Sequence, residues 1–331
     1  MAGTHLTLAA LATAAVPALD VVSASTYSAD GDGAYDASLL ALRDGKHLLV
    51  RAPRTKEAAN DQSADLGGLR ALSTGIRARL PFNVPSYVGA TPSGSRRAVV
   101  YEYVFGQKLA LAELVPGAEI TRAVGKAVAA IHQLPTSFIA DAGLPVNSPA
   151  ESLRECVQVI ERASRTGLVP LALLERWRAA TEDGQLWQFN PTVTNGALTA
   201  DSFLVEGGTV TGVLGWQELK VSDPARDLFW VLGAGRDAAD HVIDAYLATR
   251  GAADRQIRQR AVFYSELELA RWLLHGTDSR DSEVVDDAVA MLTGLVDEVG
   301  TDVTSQLGAQ MMPVLHVDEV EELLDRTERR R

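Results

Sequence analysis

The first apolar run, LTLAALATAAVPAL over residues 6–19, is continuous rather than alternating and carries Pro17 near its end. It reads as a helix laid on a core. A bilayer span needs about 20 apolar residues, and no Lys or Arg precedes the run, as a secretion signal normally requires. From Val21 the period changes to that of strands. VVSAST is small and β-branched, and SADGDGA holds two Asp-Gly turn signals. YDASLLALR and KHLLVRAP alternate on either side of Asp44-Gly45, which predicts a hairpin. A helical stretch over 57–76 follows, weakened at Gly67-Gly68 by roughly 1 kcal/mol per glycine relative to Ala. Pro81 and Pro85 end it, and VPSYVGA and AVVYEYVFG read as two more strands joined by a turn at 93–96.

Beyond Gly106 the spacing becomes helical. Ile120, Val124, Ala127, Val128 and Ile131 share one face, and Leu134-Pro135 ends the helix. His132, near that end, reads as a structural residue rather than a catalytic one. Amphipathic patterns cover 148–170 and 172–184, the first opening on the start signal Ser148-Pro149-x-Glu151. Three more cover 237–251, 253–276 and 281–300. Glu266 and Glu268, two positions apart, cannot share a helix face; the expectation is one solvated and one paired with Arg271. After Pro313, residues Val314, Val317, Val320 and Leu324 mark a short amphipathic helix with a basic end, suited to docking on the body or on a partner.

One segment interrupts the helices. Residues 202–205 form an apolar run, 206–208 have turn chemistry and 209–214 alternate, so 202–214 reads as a hairpin. The hairpin returns the chain to its starting end, which sets the entering loop (195–202) beside the leaving loop (215–223). Two loops held together by a rigid hairpin are a natural place for a site.

Composition narrows the partners more than the fold. The chain has 331 residues, 47% hydrophobic and 22% charged, ordinary for a globular protein large enough for two lobes. Its net charge of −12 argues against nucleic acid or an anionic membrane as a nonspecific partner. Cys156 is the single cysteine, so no internal disulfide forms, which fits a reducing cytoplasm. Its helical surroundings point to a small buried residue rather than a reactive thiol.

Residues 195–227 resemble the catalytic core of the aminoglycoside/macrolide phosphotransferase family. That family reads His-Gly-Asp, four residues, Asn, a hairpin, Ile-Asp-Trp and, further on, Asp-Pro-x-x-Asp. Here the matching positions are Asn195-Gly196-Ala197, Ser202, Leu214-Gly215-Trp216 and Asp223-Pro224-Ala225-Arg226-Asp227. The resemblance implies an α+β, two-lobed protein-kinase-like fold, with a small antiparallel-sheet N-lobe and a larger, mainly helical C-lobe. It divides the chain into an N-terminal helix (1–20), an N-lobe (21–106), a C-lobe (107–312) containing the hairpin at 195–227, and a tail (313–331). It places a phosphate-holding cation at Arg51 with Asp65 as its acid, and adenine against the backbone of Glu102, Tyr103 and Val104. Gly31 and Gly33 fall at the family's phosphate-covering loop, although two glycines among Ser and Asp serve equally as a plain turn.

The frame of the motif is intact and its chemistry is missing. The family's catalytic Asp falls on Ala197, its metal-binding Asn on Ser202 and its metal-binding Asp on Gly215. ATP is the nucleotide the resemblance implies, but Mg²⁺ wants oxygen ligands, usually with a carboxylate, and here meets one hydroxyl and a bare backbone. Loss of a general base lowers a rate by on the order of 10²–10⁴. Asp201, Glu218 and Asp223 are the neighbouring acids available as substitutes. The leading expectation is a pseudokinase that binds a nucleotide, a small molecule or a protein partner. One alternative is an active small-molecule phosphotransferase with relocated acid and metal ligands. The other is an interaction scaffold whose cleft is closed by Tyr101, Tyr103 and Phe105.

Overall fold

A computed structural model of the chain describes residues 4–27, 33–251 and 254–301. Helix α1 (Thr4–Ala15) is followed by strands β1 (Val21–Thr26), β2 (Tyr35–Leu42) and β3 (His47–Pro53). Helices α2 (Lys56–Ala71) and α3 (Thr74–Arg77) precede β4 (Tyr87–Ser93) and β5 (Arg96–Glu102). The five strands form one antiparallel sheet in the order β1-β2-β3-β5-β4. Period-two alternation sends successive side chains to opposite faces, and β5 uses both. Ala98 and Val100 join Leu40, Val50 and the α1 residues Leu8 and Ala12 in one cluster. Val99 and Tyr101 join Leu69 of α2, and Leu72 just past its end, in a second, larger core that continues through the C-terminal half. The leading apolar run is therefore the outer cover of the N-lobe sheet, not a unit apart from the lobe.

The stretch 57–76 is two helices rather than one. The Thr55 hydroxyl accepts from the Ala58 N–H at 3.1 Å to start α2, and the break at Leu72 lets Ser73 cap α3. Arg77 fastens this corner by donating to the carbonyls of Leu69, Leu72, Val84 and Pro85. The lobes meet at Gly106, whose φ is 139°. A Cβ there would stand 2.5 Å from Thr211 Oγ1 and 2.8 Å from Leu204 Cβ, so the passage admits only glycine.

After the hinge come β6 (Gln107–Lys108) and helices α4 (Glu119–His132), α5 (Ser137–Asp141), α6 (Pro149–Arg165) and α7 (Leu171–Glu182). The Ser148 start of α6 is a reciprocal cap: Ser148 Oγ accepts from the Glu151 N–H, and the Glu151 carboxylate accepts from the Ser148 N–H. Strands β7 (Thr192–Thr194), β8 (Phe203–Glu206), β9 (Thr209–Val213) and β10 (Lys220–Ser222) follow, then α8 (Arg236–Arg250), α9 (Ile257–Ser279) and α10 (Ser282–Thr301). Strands β8 and β9 are the expected hairpin, joined at its edge by β6. Strands β7 and β10 pair antiparallel and hold the entering and leaving loops together.

The acids of α9 correct an expectation. Glu268 pairs with Arg271, but Glu266 is buried, not solvated. Arg176 donates to both its oxygens and Trp177 Nε1 donates at 2.9 Å, so this carboxylate ties α7 to α9 inside the core. Cys156 is also buried, and burial pushes its thiol up to about 12, which leaves it protonated and inert. The expected helix after Pro313, together with Gly31, lies outside the described residues. Among the described residues, no helix is long and apolar enough to cross a membrane.

Candidate functional site in the interlobe cleft

Asp227 shapes the loop that opens the site. Its carboxylate accepts from the Asn195 N–H at 2.8 Å and from the Gly196 N–H at 2.7 Å. His132 Nε2 stands 3.1 Å from the same carboxylate, and His132 Nδ1 is 2.9 Å from the Tyr246 hydroxyl. All of these groups are buried, so His132 is a strut behind the loop and takes no part in the site. Asn195 Nδ2 donates to the Gly215 carbonyl at 2.7 Å, joining the two loops directly. Gly196 has φ 85°, and a Cβ on it would lie 2.6 Å from the Glu218 carbonyl. The loop thus has a fixed shape, and at the position where the sequence resemblance would expect an acid it carries only the methyl group of Ala197. Ser202 turns its hydroxyl back onto its own turn, accepting from the Thr199 N–H at 3.2 Å. Gly215, in the left-handed region at φ 74°, brings no side chain.

Between the lobes lies a cavity of about 760 Å³. Arg51 and Asp65 both line it, with the Arg51 guanidinium 3.9 Å from the centre of the Tyr35 ring. Asp65 Oδ1 accepts from the Trp216 N–H at 2.8 Å, and the carboxylate also lies within the field of the Arg51 charge. Burial pushes the Asp65 pKa up, while the Trp216 N–H and the Arg51 charge pull it down. One turn on, Gly68 lies so close to the Trp216 carbonyl that a Cβ would stand 2.1 Å from the oxygen. Helix α2 is therefore fastened to the residue that follows Gly215. A second fastening joins the lobes where the Asn83 N–H donates to Thr211 O and the Val213 N–H donates to Asn83 O.

The three neighbouring acids fare differently. Asp223 is 0% exposed and cannot serve as a relocated ligand. Arg260 Nε donates to it at 2.7 Å, the Tyr264 hydroxyl at 3.1 Å and the Ala225 N–H at 2.9 Å. Burial works against the Arg260 charge, yet Asp223 and Asp254 together push its pKa up. Glu218 is half exposed outside the cleft, 3.3 Å from Lys220 Nζ, and Gln217 lines the cleft in its place. Asp201 does line the cleft, because residues 200–202 form a 3-10 turn instead of starting the strand. Its carboxylate accepts from Thr199 Oγ1 at 2.5 Å and lies 3.5 Å from Lys108 Nζ. These partners, Thr199 first, hold its pKa below the usual carboxylate range. Among the described residues, no group of three or more His, Cys, Asp or Glu is placed to hold a metal ion. The residues at positions 197, 202 and 215 do not suit Mg²⁺.

The aromatic residues near the hinge leave the cleft open. Tyr101 is buried in its wall, and Tyr103 meets Tyr27 and Phe105 edge-on at 5.9 and 4.9 Å. Phe105 is exposed, its ring edge-on to His47 at 5.2 Å. Of the backbone donors expected to meet adenine, Glu102 N–H already donates to Ser86 O and Tyr103 N–H to His47 O. Val104 N–H has no partner among the described residues. Sequence reasoning passed over Asp61, Gln62, Lys108 and Gln217, all of which line the cleft. Asp61 and Gln62 stand four and three positions before Asp65, so helical spacing puts them on its face.

A five-stranded sheet with α1 on one face and α2 on the other, a glycine hinge and a loop-hairpin-loop unit define a protein of the kinase-like phosphotransferase class. Residues 26–261 match the phosphotransferase enzyme family (APH), and the chain belongs to that family. The structure resembles the apoenzyme of macrolide 2'-phosphotransferase MphH from Brachybacterium faecium, with TM-score 0.71 and 22% identity over 87% of this chain and 97% of that one. It also resembles APH(2")-IIia in its complex with GDP and kanamycin, with TM-score 0.70 and 19% identity over 90% and 100%. At these identities the likeness is one of fold. In sequence the chain is 25% identical over 194 residues to the uncharacterized protein YcbJ of Bacillus subtilis (strain 168). That match covers 55% of this chain and 61% of YcbJ.

Proposed function

We propose that this protein is a pseudokinase of the phosphotransferase family: its interlobe cleft binds a small molecule, and conventional phosphoryl transfer from ATP is lost. One observation carries the reading. The loop is held in shape by Asp227, while a methyl group, an inward-turned hydroxyl and a bare glycine occupy the three positions that would do the chemistry. Phosphoryl transfer is almost entirely positioning and electrostatic stabilisation of the transferring group, with a carboxylate to orient the attacking hydroxyl. Positioning without the charges leaves a receptor. The open cavity and the available Val104 N–H support binding of a flat heterocycle at the hinge, and oppose a scaffold with its cleft closed by aromatic rings. A fold neighbour known as a GDP and kanamycin complex supports a small-molecule occupant.

Asp201 favours the second reading, an active phosphotransferase with relocated ligands, since it is an ionised acid in the cleft wall beside Ser202. Its engagement by Thr199 and Lys108 weighs against that role. The two readings separate in a turnover assay of the full chain with ATP or GTP and Mg²⁺, with aminoglycoside and macrolide acceptors. The expected result is no phosphate release or transfer above a protein-free blank. Mg²⁺-dependent turnover that disappears in Asp201→Asn would establish the second reading instead.

A further inference from the structure

The polar character of the cleft is opposite to what a nucleotide phosphate needs. Phosphate oxygens are anionic and only accept hydrogen bonds. Among the described lining residues, the carboxylates are Glu57, Asp61, Asp65, Glu102 and Asp201, against two cations, Arg51 and Lys108. Lys108 is already drawn to Asp201, and the Arg51 guanidinium lies over Tyr35. No metal-ligand set is present at Ser202 and Gly215 to invert that balance.

Two buried side chains in the same wall point to a ligand independently of charge. Tyr101, 3% exposed, has a hydroxyl with no hydrogen-bond partner among the described residues. Gln62, 5% exposed, commits its Nε2 to the Arg97 carbonyl and leaves its Oε1 without a partner among the described residues. A buried polar atom without a partner is costly, by about 1–3 kcal/mol, and calls for an explanation. Both residues line the cleft, and although the two atoms are covered in the unliganded protein, a turn of either side chain toward an occupant would complete it. The amide oxygen asks for a donor, as do the nearby carboxylates of α2.

From this complementarity we infer that the cleft takes a phosphate-free ligand that carries a cationic amine: a flat heterocycle set against the Val104 N–H at the hinge, with its amine directed toward Asp61 and Gln62 of α2. This inference rests on the proposed role of the cleft as a receptor without phosphoryl transfer. It replaces the polyanionic end of a nucleotide by a donor-rich cation.

The test is calorimetry on the full chain with four probes: adenosine, 5'-amino-5'-deoxyadenosine, AMP and ATP without Mg²⁺. The amine should bind about tenfold more tightly than adenosine, and AMP and ATP more weakly, since one further charge contact in a partly shielded cleft is worth on the order of tenfold in affinity. The advantage of the amine should vanish in Asp61→Asn, which alters an exposed residue and leaves folding intact. Tyr101→Phe should weaken every bound probe without lowering thermal stability, because its lost hydroxyl has no partner among the described residues. Tighter binding of AMP or ATP than of adenosine, or an amine advantage unchanged in Asp61→Asn, overturns the inference and leaves the receptor reading standing. Failure of all four probes to bind at millimolar concentration overturns both.

Discussion

At the scale of single residues, the site is a set of polar groups reassigned from chemistry to structure. Asp65 shows how a pKa becomes a stability term. Burial raises its pKa, so the folded chain holds this proton to higher pH than the unfolded chain does. Its contribution is therefore greatest below the ordinary value of 3.8 and declines as pH rises through that value toward the folded one. Asp65→Asn keeps an oxygen for the Trp216 N–H and removes the titration. The unfolding free energy of the variant relative to the parent should rise across that window, as read from urea curves at several pH values. A difference that stays flat or falls would mean the carboxylate is not desolvated. The family resemblance places Asp223 and Asp227 in the frame of the motif, while the sequence also leaves Asp223 available as a substitute acid. The sequence could not show that Asp65 would serve a backbone amide 151 positions away, since a contact of that separation leaves no local pattern.

Among the elements, α2 carries the sharpest contrast. Its two adjacent glycines look alike in the sequence, where each only weakens a helix. In the fold a Cβ at Gly67 meets nothing within 4 Å, whereas one at Gly68 would stand 2.1 Å from the Trp216 carbonyl oxygen. Gly67→Ala should therefore stabilise the protein by about 0.5–1 kcal/mol, as expected for an unobstructed helix interior. Gly68→Ala should destabilise it by on the order of 2 kcal/mol or more, the range of other changes that overfill a packed site. Chemical denaturation of the two variants tests both signs, and two variants of the same sign would refute the close approach. Periodicity made the long helices, the strands of the N-lobe sheet and the hairpin at β8 and β9 legible, but not the short elements β6, β7, β10 and α5. The break at Leu72 was not legible, because its cause is Arg77 gathering carbonyls from both sides of the corner.

Over the whole molecule, two cores share one sheet. The smaller depends on α1, since Leu8 and Ala12 cover Leu40, Val50, Ala98 and Val100. Deleting residues 1–16 should lower the stability of the chain by about 3 kcal/mol or more, at roughly 1.5–3 kcal/mol per large apolar side chain re-exposed. The measurement is the urea midpoint of the truncated chain, and an unchanged midpoint would show that the helix is dispensable. The two-lobed architecture was readable because motif order and hinge are sequential features. The character of the cleft was not, because its wall draws on α2, the hinge, the turn before β8 and the segment after β9.

Those lobes are joined not only at Gly106 but also where Asn83 meets β9 and where α2 presses on Trp216. A chamber stapled on three sides cannot yawn open to admit a visitor. Its mouth already stands open, so entry needs no parting of the lobes, and capture should run in the ~10⁵–10⁷ M⁻¹s⁻¹ range usual for docking onto a preformed patch. By the same restraint the lobes should not clamp down on a captured molecule, so the rate of its departure is set by its contacts with the preformed walls alone.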